Sequence, residues 1–441
     1  MQYKLDDLEK WDERIMEIAA KHNLDPFPIE YESIDYYEMI GAMSHHGMPS
    51  FYSHWSFGKA FERTHQMYNL GQEGLPYELI INSNPSIAYL MRENPLPLQI
   101  LIMAHCVGHS DFFKNNRMFK NTRPTSVIQS FRSAKKRIQG YIEDPTIGID
   151  EVEKVIDACH AIQFQTTKHG LRRRSQDEIK EEKIEKLKKA KEDNDQLAIN
   201  ILNAQLEKVP MEPDYDLLGF IAENAKLPDW KRDIIEIIRQ EGQYFWPQIQ
   251  TKIMNEGWAS YWHYTICHEL DLPTEIHLPI IKSHNQVIRP HLGSINPYHL
   301  GFHMFQRIKE KFGMEECFIA REACHDSSFI RQYLDEKLCQ DLNLFTYSDK
   351  KYQGVLIDDI SDDEGWENIR NELSKSAGGG SIPIVYVDNV EKSGTLIIRH
   401  EHDGRDLEED YARKVLNHIQ NLWTNGTKLI AKINNDWVTI D

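Results

Sequence analysis

The chain has 441 residues, enough for about two or three domains, and 40% of them are hydrophobic, enough for well-packed cores. Its formal net charge of −18 argues against nucleic acid or an anionic membrane as the main partner. The six cysteines are scattered and never form a CxxC pair, a usage typical of reduced thiols. The N-terminus lacks the apolar segment of a signal peptide, and the longest apolar runs are too short for a membrane span. We therefore expect a cytoplasmic protein without a membrane span.

Apolar periodicity and turn residues predict mainly helical structure in the first part of the chain. Residues 4–22 carry apolar side chains at helical spacing. Residues 77–82 are rich in residues typical of strands, and the Asn-Pro pair at the start of residues 84–91 predicts the cap and first turn of a short helix. A second, very apolar helix is expected to begin within residues 94–97.

The segment from residue 172 to residue 208 is highly charged and has few apolar anchors. Opposite charges recur at i,i+4, a spacing that stabilises exposed helices. We expect a solvated helical hairpin, inserted at about residues 168–209. An arm that docks a partner is the alternative interpretation.

The pattern changes at about residue 343, where short strand-like runs alternate with helical segments over residues 364–375 and 407–423. The sequence therefore predicts the α+β class. A mainly helical region is expected over residues 1–340, with the charged hairpin as an insertion. A small C-terminal α+β domain is expected over residues 341–441.

The most informative stretch is a predicted helix over residues 251–270. At helical spacing, Glu256 and His263 lie on one face, beside an aromatic stripe that contains Trp258 and Trp262. A helix this bulky is expected to be buried, and buried polar groups need partners. The carboxylate and the imidazole therefore predict a polar cluster inside the protein.

The apolar helix that follows residue 97 carries a second set of polar residues. His105 and His109 lie one turn apart, so both imidazoles can chelate one metal ion. Gly108 costs this helix about 1 kcal/mol relative to Ala, which predicts a close approach by another element. Among twenty histidines roughly one such pair arises by chance, so a structural pair also fits the spacing. Cys106 stands where the metallopeptidase motif HExxH has its Glu.

Two further polar groups are predicted to bind substrate or an anion. The first is a loop before a helix N-terminus, where backbone N–H groups favour anions. It contains Arg289, His291, Asn296 and Tyr298. Anchoring of the loop is the structural alternative. The second is His54, which lies in an irregular, aromatic-rich segment from which it can reach a site, although loop histidines are commonly only hydrogen-bonded.

Eight long motifs make the chain resemble the SpoVR-like family, named after stage V sporulation protein R. They are LDPFPIEYE (24–32), HWSFGKAFE (54–62), YELIINSNPSIAYL (77–90), MAHCVGHSDFFKNN (103–116), LLGFIAENAKLPDWKRDII (217–235), YFWPQIQTKIMNEGWASYWHY (244–264), RPHLGSINPYHLGF (289–302) and HDSSFIRQYL (325–334). The resemblance implies a link to formation of the spore cortex peptidoglycan, and to stress or stationary-phase conditions in bacteria that do not sporulate. There the genes of the family accompany a serine protein kinase, which the resemblance makes a candidate partner.

A second, weaker similarity is to the gluzincin metallopeptidases, in which a helix with two His precedes a helix with a Glu. It implies that His105, His109 and Glu256 bind zinc or another divalent metal and that the helical region is zincin-like. A metal with three protein ligands and an open position activates water. Because Cys106 replaces the expected base, the base has to come from elsewhere. The candidates are Glu241, His263 and Glu269.

Two functions of different classes follow from these patterns. The first is a metal-dependent hydrolase, an amidase or peptidase, with about one zinc ion per chain. The second is a non-catalytic regulatory protein of sporulation or the stress response. In that alternative the His and Glu residues form only a hydrogen-bonded core and no stoichiometric metal is bound. The charged arm and the C-terminal α+β domain then dock the kinase or another regulatory protein.

Overall fold

A computed structural model describes residues 3–69, 78–166, 173–291, 294–350 and 354–441. The helices are α1 Leu5–Lys21, α2 Tyr36–Ser44, α3 Trp55–Asn69, α4 Leu96–Asn115, α5 Val127–Glu143, α6 Ile149–His160, α7 Gln176–Glu192, α8 Gln196–Leu206, α9 Leu217–Asn224, α10 Asp229–Gln250, α11 Lys252–Glu269, α12 Thr274–Val287, α13 Pro297–Phe312, α14 Met314–Ala323, α15 Asp326–Tyr333, α16 Glu336–Asp341, α17 Gly365–Ser376 and α18 Glu409–Trp423. The strands are β1 Ile29–Ile34, β2 Glu78–Ile81, β3 Ser86–Met91, β4 Phe345–Lys350, β5 Gly354–Ile360, β6 Val385–Val390, β7 Leu396–His400, β8 Thr427–Ile433 and β9 Asp436–Ile440. A short 3-10 helix, Arg117–Phe119, follows α4.

Helices dominate this α+β structure, and the chain forms two compact units, each assembled from two segments. The first unit contains Met1–Lys135 and Pro247–Ser381, and the second contains Lys136–Trp246 and Ile382–Asp441. The predicted α+β class is confirmed. Among the residues that the structure describes, no helix combines the length and the hydropathy needed to cross a membrane.

Helix α11, predicted from residues 251–270, is the centre of the first unit. It packs most extensively against α4 and α13. A Cβ added to Gly108 of α4 would lie 2.7 Å from the Cα of Ala259, and one added to Gly257 would lie 2.3 Å from the carbonyl carbon of Gly301 in α13. The close approach predicted at Gly108 is confirmed. Both helix contacts depend on residues without a side chain, because any Cβ would overlap the opposite backbone.

The start of α11 is held by a residue from another helix. Asp326, the first residue of α15, accepts hydrogen bonds from the backbone N–H groups of Ile253 and Met254, both at 2.9 Å. These bonds satisfy two of the N–H groups that a helix start leaves without partners inside the helix. They therefore fix the axial position of the helix that carries Glu256.

A three-stranded sheet in the order β1-β3-β2 packs against α4. β3 pairs in parallel with β1 and antiparallel with β2, where Glu78 lies opposite Leu90. The strand predicted for residues 77–82 is confirmed as β2 within its described part, but the short helix predicted for residues 84–91 is wrong. A central strand satisfies its backbone N–H and C=O groups on both sides, and this long-range pairing outweighs the local Asn-Pro signal.

The second unit contains a four-stranded sheet in the order β6-β7-β8-β9. β7 and β8 are parallel, the other neighbouring strands are antiparallel, and α18 packs against β8 and α6. The strands and the two helices predicted after residue 343 are confirmed as elements. β4, β5 and α17 belong to the first unit, and β6 to β9 and α18 to the second.

The predicted charged hairpin also lies in the second unit and consists of α7 and α8, which pack against each other. Ser175 caps α7 by accepting a hydrogen bond from the backbone N–H of Glu178. None of the residues of α8 is buried. The first residues of the predicted segment, 168–172, lie outside the described residues.

Candidate metal centre

Helix α4 places two histidines on one face, deep in the first unit. His105 and His109 are 1% and 4% exposed, and their ring centroids are 4.5 Å apart. All residues of α4 from Gln99 to Phe113 are buried. Because water does not reach these imidazoles, both ring nitrogens of each need partners within the protein or a bound ion.

Two carboxylates complete the cluster, one from α11 and one from the sheet. Glu256 Oε2 lies 3.7 Å from His105 Nε2 and 3.4 Å from His109 Nε2. Glu78, the first residue of β2, places its Oε1 3.5 Å from His105 Nε2. One ligand atom from each of these four residues lies within 4.8 Å of the other three. The structure thus brings together the three residues predicted as metal ligands and adds Glu78.

Hydrogen bonding around the cluster fits a metal ion. His109 Nδ1 lies 2.8 Å from the side-chain oxygen of Asn255. Because an amide oxygen only accepts, His109 carries a proton on Nδ1, and its Nε2 faces Glu256. A lone pair that faces a carboxylate at 3.4 Å needs a second proton or a cation. His105 Nε2 and Glu256 Oε2 are buried and have no hydrogen-bond partner in the described part of the chain. Imidazole nitrogens and carboxylate oxygens together form the donor set of zinc and related divalent metals.

The charges of the cluster stabilise each other. Burial acts to raise the pKa of Glu256, but the adjacent imidazoles of His105 and His109 hold that pKa well below its usual value. Burial acts to lower the pKa of His109, but Glu256 and the hydrogen bond to Asn255 raise it above its usual value. In the metal-free protein, the raised pKa of His109 therefore favours a proton there that balances the carboxylate, and a divalent cation would take its place.

Three imidazoles form a row that leads away from the cluster. His105 Nδ1 lies 2.7 Å from His263 Nδ1, and His263 Nε2 lies 2.7 Å from Nδ1 of His284 on α12. All three residues are buried. Burial, and then the neighbouring histidines, lower the pKa of His263 well below its usual value and the pKa of His284 to about 4. His263 and His284 are therefore neutral at pH 7, and His263, predicted as a catalytic candidate, lies directly behind His105.

The hydroxyl of Tyr298 lies at the two carboxylates. Its ring stacks on that of His105, with centroids 6.0 Å apart. Burial raises the pKa of the Tyr298 phenol well above its usual value, and its interactions with Glu256 and Glu78, which include hydrogen bonds, add to this rise. Tyr298 was grouped in the sequence with a loop that favours anions, and the structure places it beside the four possible metal ligands.

Comparison with known proteins assigns the family. The model described as SpoVR like protein matches residues 2–382, and the model described as SpoVR-like C-terminal domain matches residues 381–432. The chain belongs to the SpoVR family. It is 36% identical, over 456 aligned positions that cover 92% of this chain and 88% of the relative, to a protein of Escherichia coli (strain K12) named Uncharacterized protein YcgB. No solved structure matches the chain.

The other residues of this SpoVR protein that were predicted to bind substrate or an anion are not part of the four-residue cluster. Asn296 caps α13 and donates two hydrogen bonds of 2.8 Å to backbone carbonyl groups of its own loop. Arg289 and His291 are exposed on that loop. His54 precedes α3, and its Nδ1 lies 2.7 Å from the hydroxyl of Ser56. The hydrogen bonds of Asn296 therefore anchor the loop.

Two of the base candidates, Glu269 and Glu241, are not members of the four-residue cluster. Glu269, the last residue of α11, accepts a hydrogen bond of 2.9 Å from Lys21 and lies 2.6 Å from His22 Nε2. The hydrogen bond from Lys21 is the main reason that the pKa of Glu269 is lowered. Glu241 belongs to the second unit, where its charge adds to the effect of burial in raising the pKa of Cys159.

Glu78 and His284 were not predicted from the SpoVR sequence. The one signal for Glu78 is its place in a strand-like run just before the helix with two His. His284 is one of several polar residues on α12, and nothing in the sequence distinguishes it from the others. Cys106, which follows His105, is fully buried, and burial raises the pKa of its thiol well above its usual value. The thiol is therefore neutral and does not replace the Glu of HExxH.

Proposed function

We propose that this SpoVR-family protein is a metal-dependent hydrolase of amide bonds, amidase-like or peptidase-like, with zinc or another divalent metal held by His105, His109 and Glu256. The observation that carries the proposal is one pair of atoms. His105 Nε2 and Glu256 Oε2 are buried, lie 3.7 Å apart and have no hydrogen-bond partner among the described residues. Such a pair is costly to bury unless a cation lies between the two atoms.

The residues around the cluster have distinct roles in this proposal. A bound metal would supply Lewis acidity and would lower the pKa of a water molecule. Glu78, whose carboxylate oxygen lies 3.5 Å from His105 Nε2, would accept a proton from that water, which the buried Cys106 thiol could not. Tyr298 orients both carboxylates through its hydroxyl. The similarity to gluzincins supports this zincin-like scheme, since a strand, a helix with two His and a later helix with Glu follow in the same order.

The substrate proposed for this site is an amide bond in a cell-wall precursor. The link of the family to spore cortex peptidoglycan supports this choice. Peptidoglycan precursors carry short peptides, whose amide bonds a metal-dependent hydrolase of this kind would cleave.

Elemental analysis of the purified protein tests the proposal. After expression with added zinc, the wild type is expected to hold about one metal ion per chain, and His105→Ala and His109→Ala are expected to lose it. His303→Ala is the matched control, because His299 and His303 form the other i,i+4 pair and neither belongs to the four-residue cluster. A wild type without stoichiometric metal would refute the hydrolase proposal in this form, and so would a His105→Ala variant that keeps the metal and folds.

A second candidate function is a non-catalytic regulatory protein of sporulation or the stress response. One observation favours it: α8 exposes Leu197 and Ile201, which are 71% and 49% accessible and lie one turn apart. Exposed apolar residues on a charged hairpin are typical of a docking surface, and a serine protein kinase is the partner that the family suggests. In this alternative, His105→Ala complements a deletion strain and Leu197→Ser with Ile201→Ser does not. The hydrolase proposal predicts the reverse.

A further inference from the structure

We propose that His105, His263 and His284 form one directional hydrogen-bonded row in which His284 determines which tautomer of His105 faces the metal. This inference rests on the metal site proposed above. It concerns two residues whose rings are not among the four ligand candidates. His284 is a positioning residue in this scheme, and it acts on His105 through His263.

Proton counting leaves the row only two arrangements. A neutral imidazole has one N–H and one lone pair, and each of the two 2.7 Å contacts between ring nitrogens holds one proton. Either every N–H of the row points from His105 toward His284, or every N–H points from His284 toward His105. In the first arrangement His105 Nε2 presents a lone pair to the carboxylates. In the second it presents an N–H.

Only the first arrangement allows a metal to bind His105 Nε2. His105 Nδ1–H then donates to His263 Nδ1, His263 Nε2–H donates to His284 Nδ1, and His284 carries its proton on Nε2. A change from the second arrangement to the first shifts one proton across each contact. It also removes one proton from His105 Nε2 and adds one at His284 Nε2, so the number of protons in the row is unchanged.

The metal-free cluster favours the second arrangement, because Glu78 and Glu256 lie 3.5 Å and 3.7 Å from His105 Nε2 and attract an N–H there. Binding of a metal therefore reverses the row. The other ligand histidine has no such freedom. His109 Nδ1 faces the oxygen of Asn255, which can only accept, so its tautomer is already the one that a metal needs.

His284 is held in place for this role. Its ring centroid lies 4.9 Å from that of Tyr264 and 5.0 Å from that of Phe302, and the residue is buried. The contact between His284 Nδ1 and His263 Nε2 is therefore set by packing. Loss of the acceptor at His284 would leave the His263 N–H without a partner, and His263 would turn its proton toward His105 instead.

Two variants of nearly equal size separate the acceptor from the packing. His284→Asn places an amide oxygen close to the position of Nδ1, and His284→Leu fills the same space without an acceptor. Zinc affinity is measured by competition with a chromophoric chelator, and thermal unfolding in EDTA reports the fold of each variant. We expect about 10–100-fold weaker zinc binding for His284→Leu, and binding close to that of the wild type for His284→Asn.

The outcomes distinguish failure of the row from failure of the metal site. A wild type that binds no zinc refutes the proposed function, and the row with it. If the wild type binds zinc and His284→Leu binds it equally tightly, only the row is refuted. The same holds if His284→Asn binds zinc as weakly as His284→Leu. If His284→Leu does not fold, nitrogen-15 histidine NMR of the zinc-loaded wild type decides. We expect the His284 proton on Nε2, and a proton on Nδ1 would overturn the proposal.

Discussion

Replacement of Gly108 by Ala tests whether the close approach of α4 to α11 builds the metal cluster. The added Cβ would lie 2.7 Å from the Cα of Ala259 and 3.3 Å from its Cβ. Carbon atoms in favourable contact are about 3.5–4.0 Å apart. The closest contact is with backbone, so a change of side-chain rotamer cannot relieve it. The two helices must therefore separate locally by roughly 1 Å.

Two opposing effects determine how much Gly108→Ala is expected to change the free energy of unfolding. Ala stabilises a helix relative to Gly by about 1 kcal/mol, whereas overpacking of a core costs about 1–3 kcal/mol. The free energy of unfolding is therefore expected to fall by about 0–2 kcal/mol. Zinc binding is expected to weaken more, because His105 and His109 move with α4 while Glu256 moves with α11. Their facing atoms lie only 3.4–3.7 Å apart.

Urea unfolding and chelator competition measure the two effects, with Gly58→Ala as the matched control. Gly58 lies in α3, is exposed, and an added Cβ would meet nothing within 4 Å. The same substitution there is expected to raise the free energy of unfolding by about 1 kcal/mol and to leave zinc binding unchanged. The reasoning from close approach is refuted if Gly108→Ala matches Gly58→Ala in stability and binds zinc as the wild type does.

Three further predictions concern the surroundings of the cluster. Asn255→Leu removes the acceptor of His109 Nδ1 and is expected to weaken zinc binding by about 10–100-fold in chelator competition, whereas Asn255→Asp keeps an acceptor and should bind more tightly than Asn255→Leu. In EDTA, the free energy of unfolding is expected to fall by about 3 kcal/mol between pH 6.5 and about pH 4, because the pKa of His284 is about 4 in the folded protein and 6.5 in the unfolded chain. On acidification the unfolded state binds this proton first, so the stabilisation from neutral His284 is complete above pH 6.5 and is lost as the pH falls. Urea unfolding of His284→Leu should lack this part of the pH dependence. A pH dependence equal to that of the wild type would contradict the low pKa of His284. Asp111→Ala leaves the indole N–H of Trp258 and the guanidinium of Arg321, 2.8 Å and 3.6 Å away, without their buried carboxylate. We expect it to lower the free energy of unfolding by about 3–5 kcal/mol in urea, and a loss below about 1 kcal/mol would show that the buried pair is not a stabilising contact.

Local periodicity was sufficient to predict several of the helices. Helices α1, α4 and α11 follow directly from apolar residues at helical spacing, because the buried face of a helix repeats within the helix itself. Strand β3 shows the limit of this reasoning. The Asn-Pro pair just before it is typical of a helix start, but the strand is stabilised by hydrogen bonds to β1 and β2, and β1 lies more than fifty residues away in the chain.

The candidate site likewise contains residues that the sequence could predict and residues whose position depends on contacts between elements. The shared face of His105 and His109 could be predicted because both residues lie on one helix, and Gly108 indicated that another backbone approaches that helix. Glu78 could not be placed, because the direction of its side chain depends on the register of β2 with β3. Tyr298 was recognised as a polar residue, but its sequence neighbours indicated an anion site, whereas its contacts in the fold are two carboxylates.

The amino-acid sequence was enough to identify the family, through motifs spread along nearly the whole chain, and to predict the elements that carry His105, His109 and Glu256. It did not show that the ligand atoms of these residues and of Glu78 lie within 4.8 Å of one another, which is a property of the folded chain. The physical reason is that periodicity defines a face within one element, whereas distances between elements come from packing. Here they depend on the approach of α4 to α11 at Gly108, on the anchoring of α11 by Asp326, and on the pairing of β2 with β3.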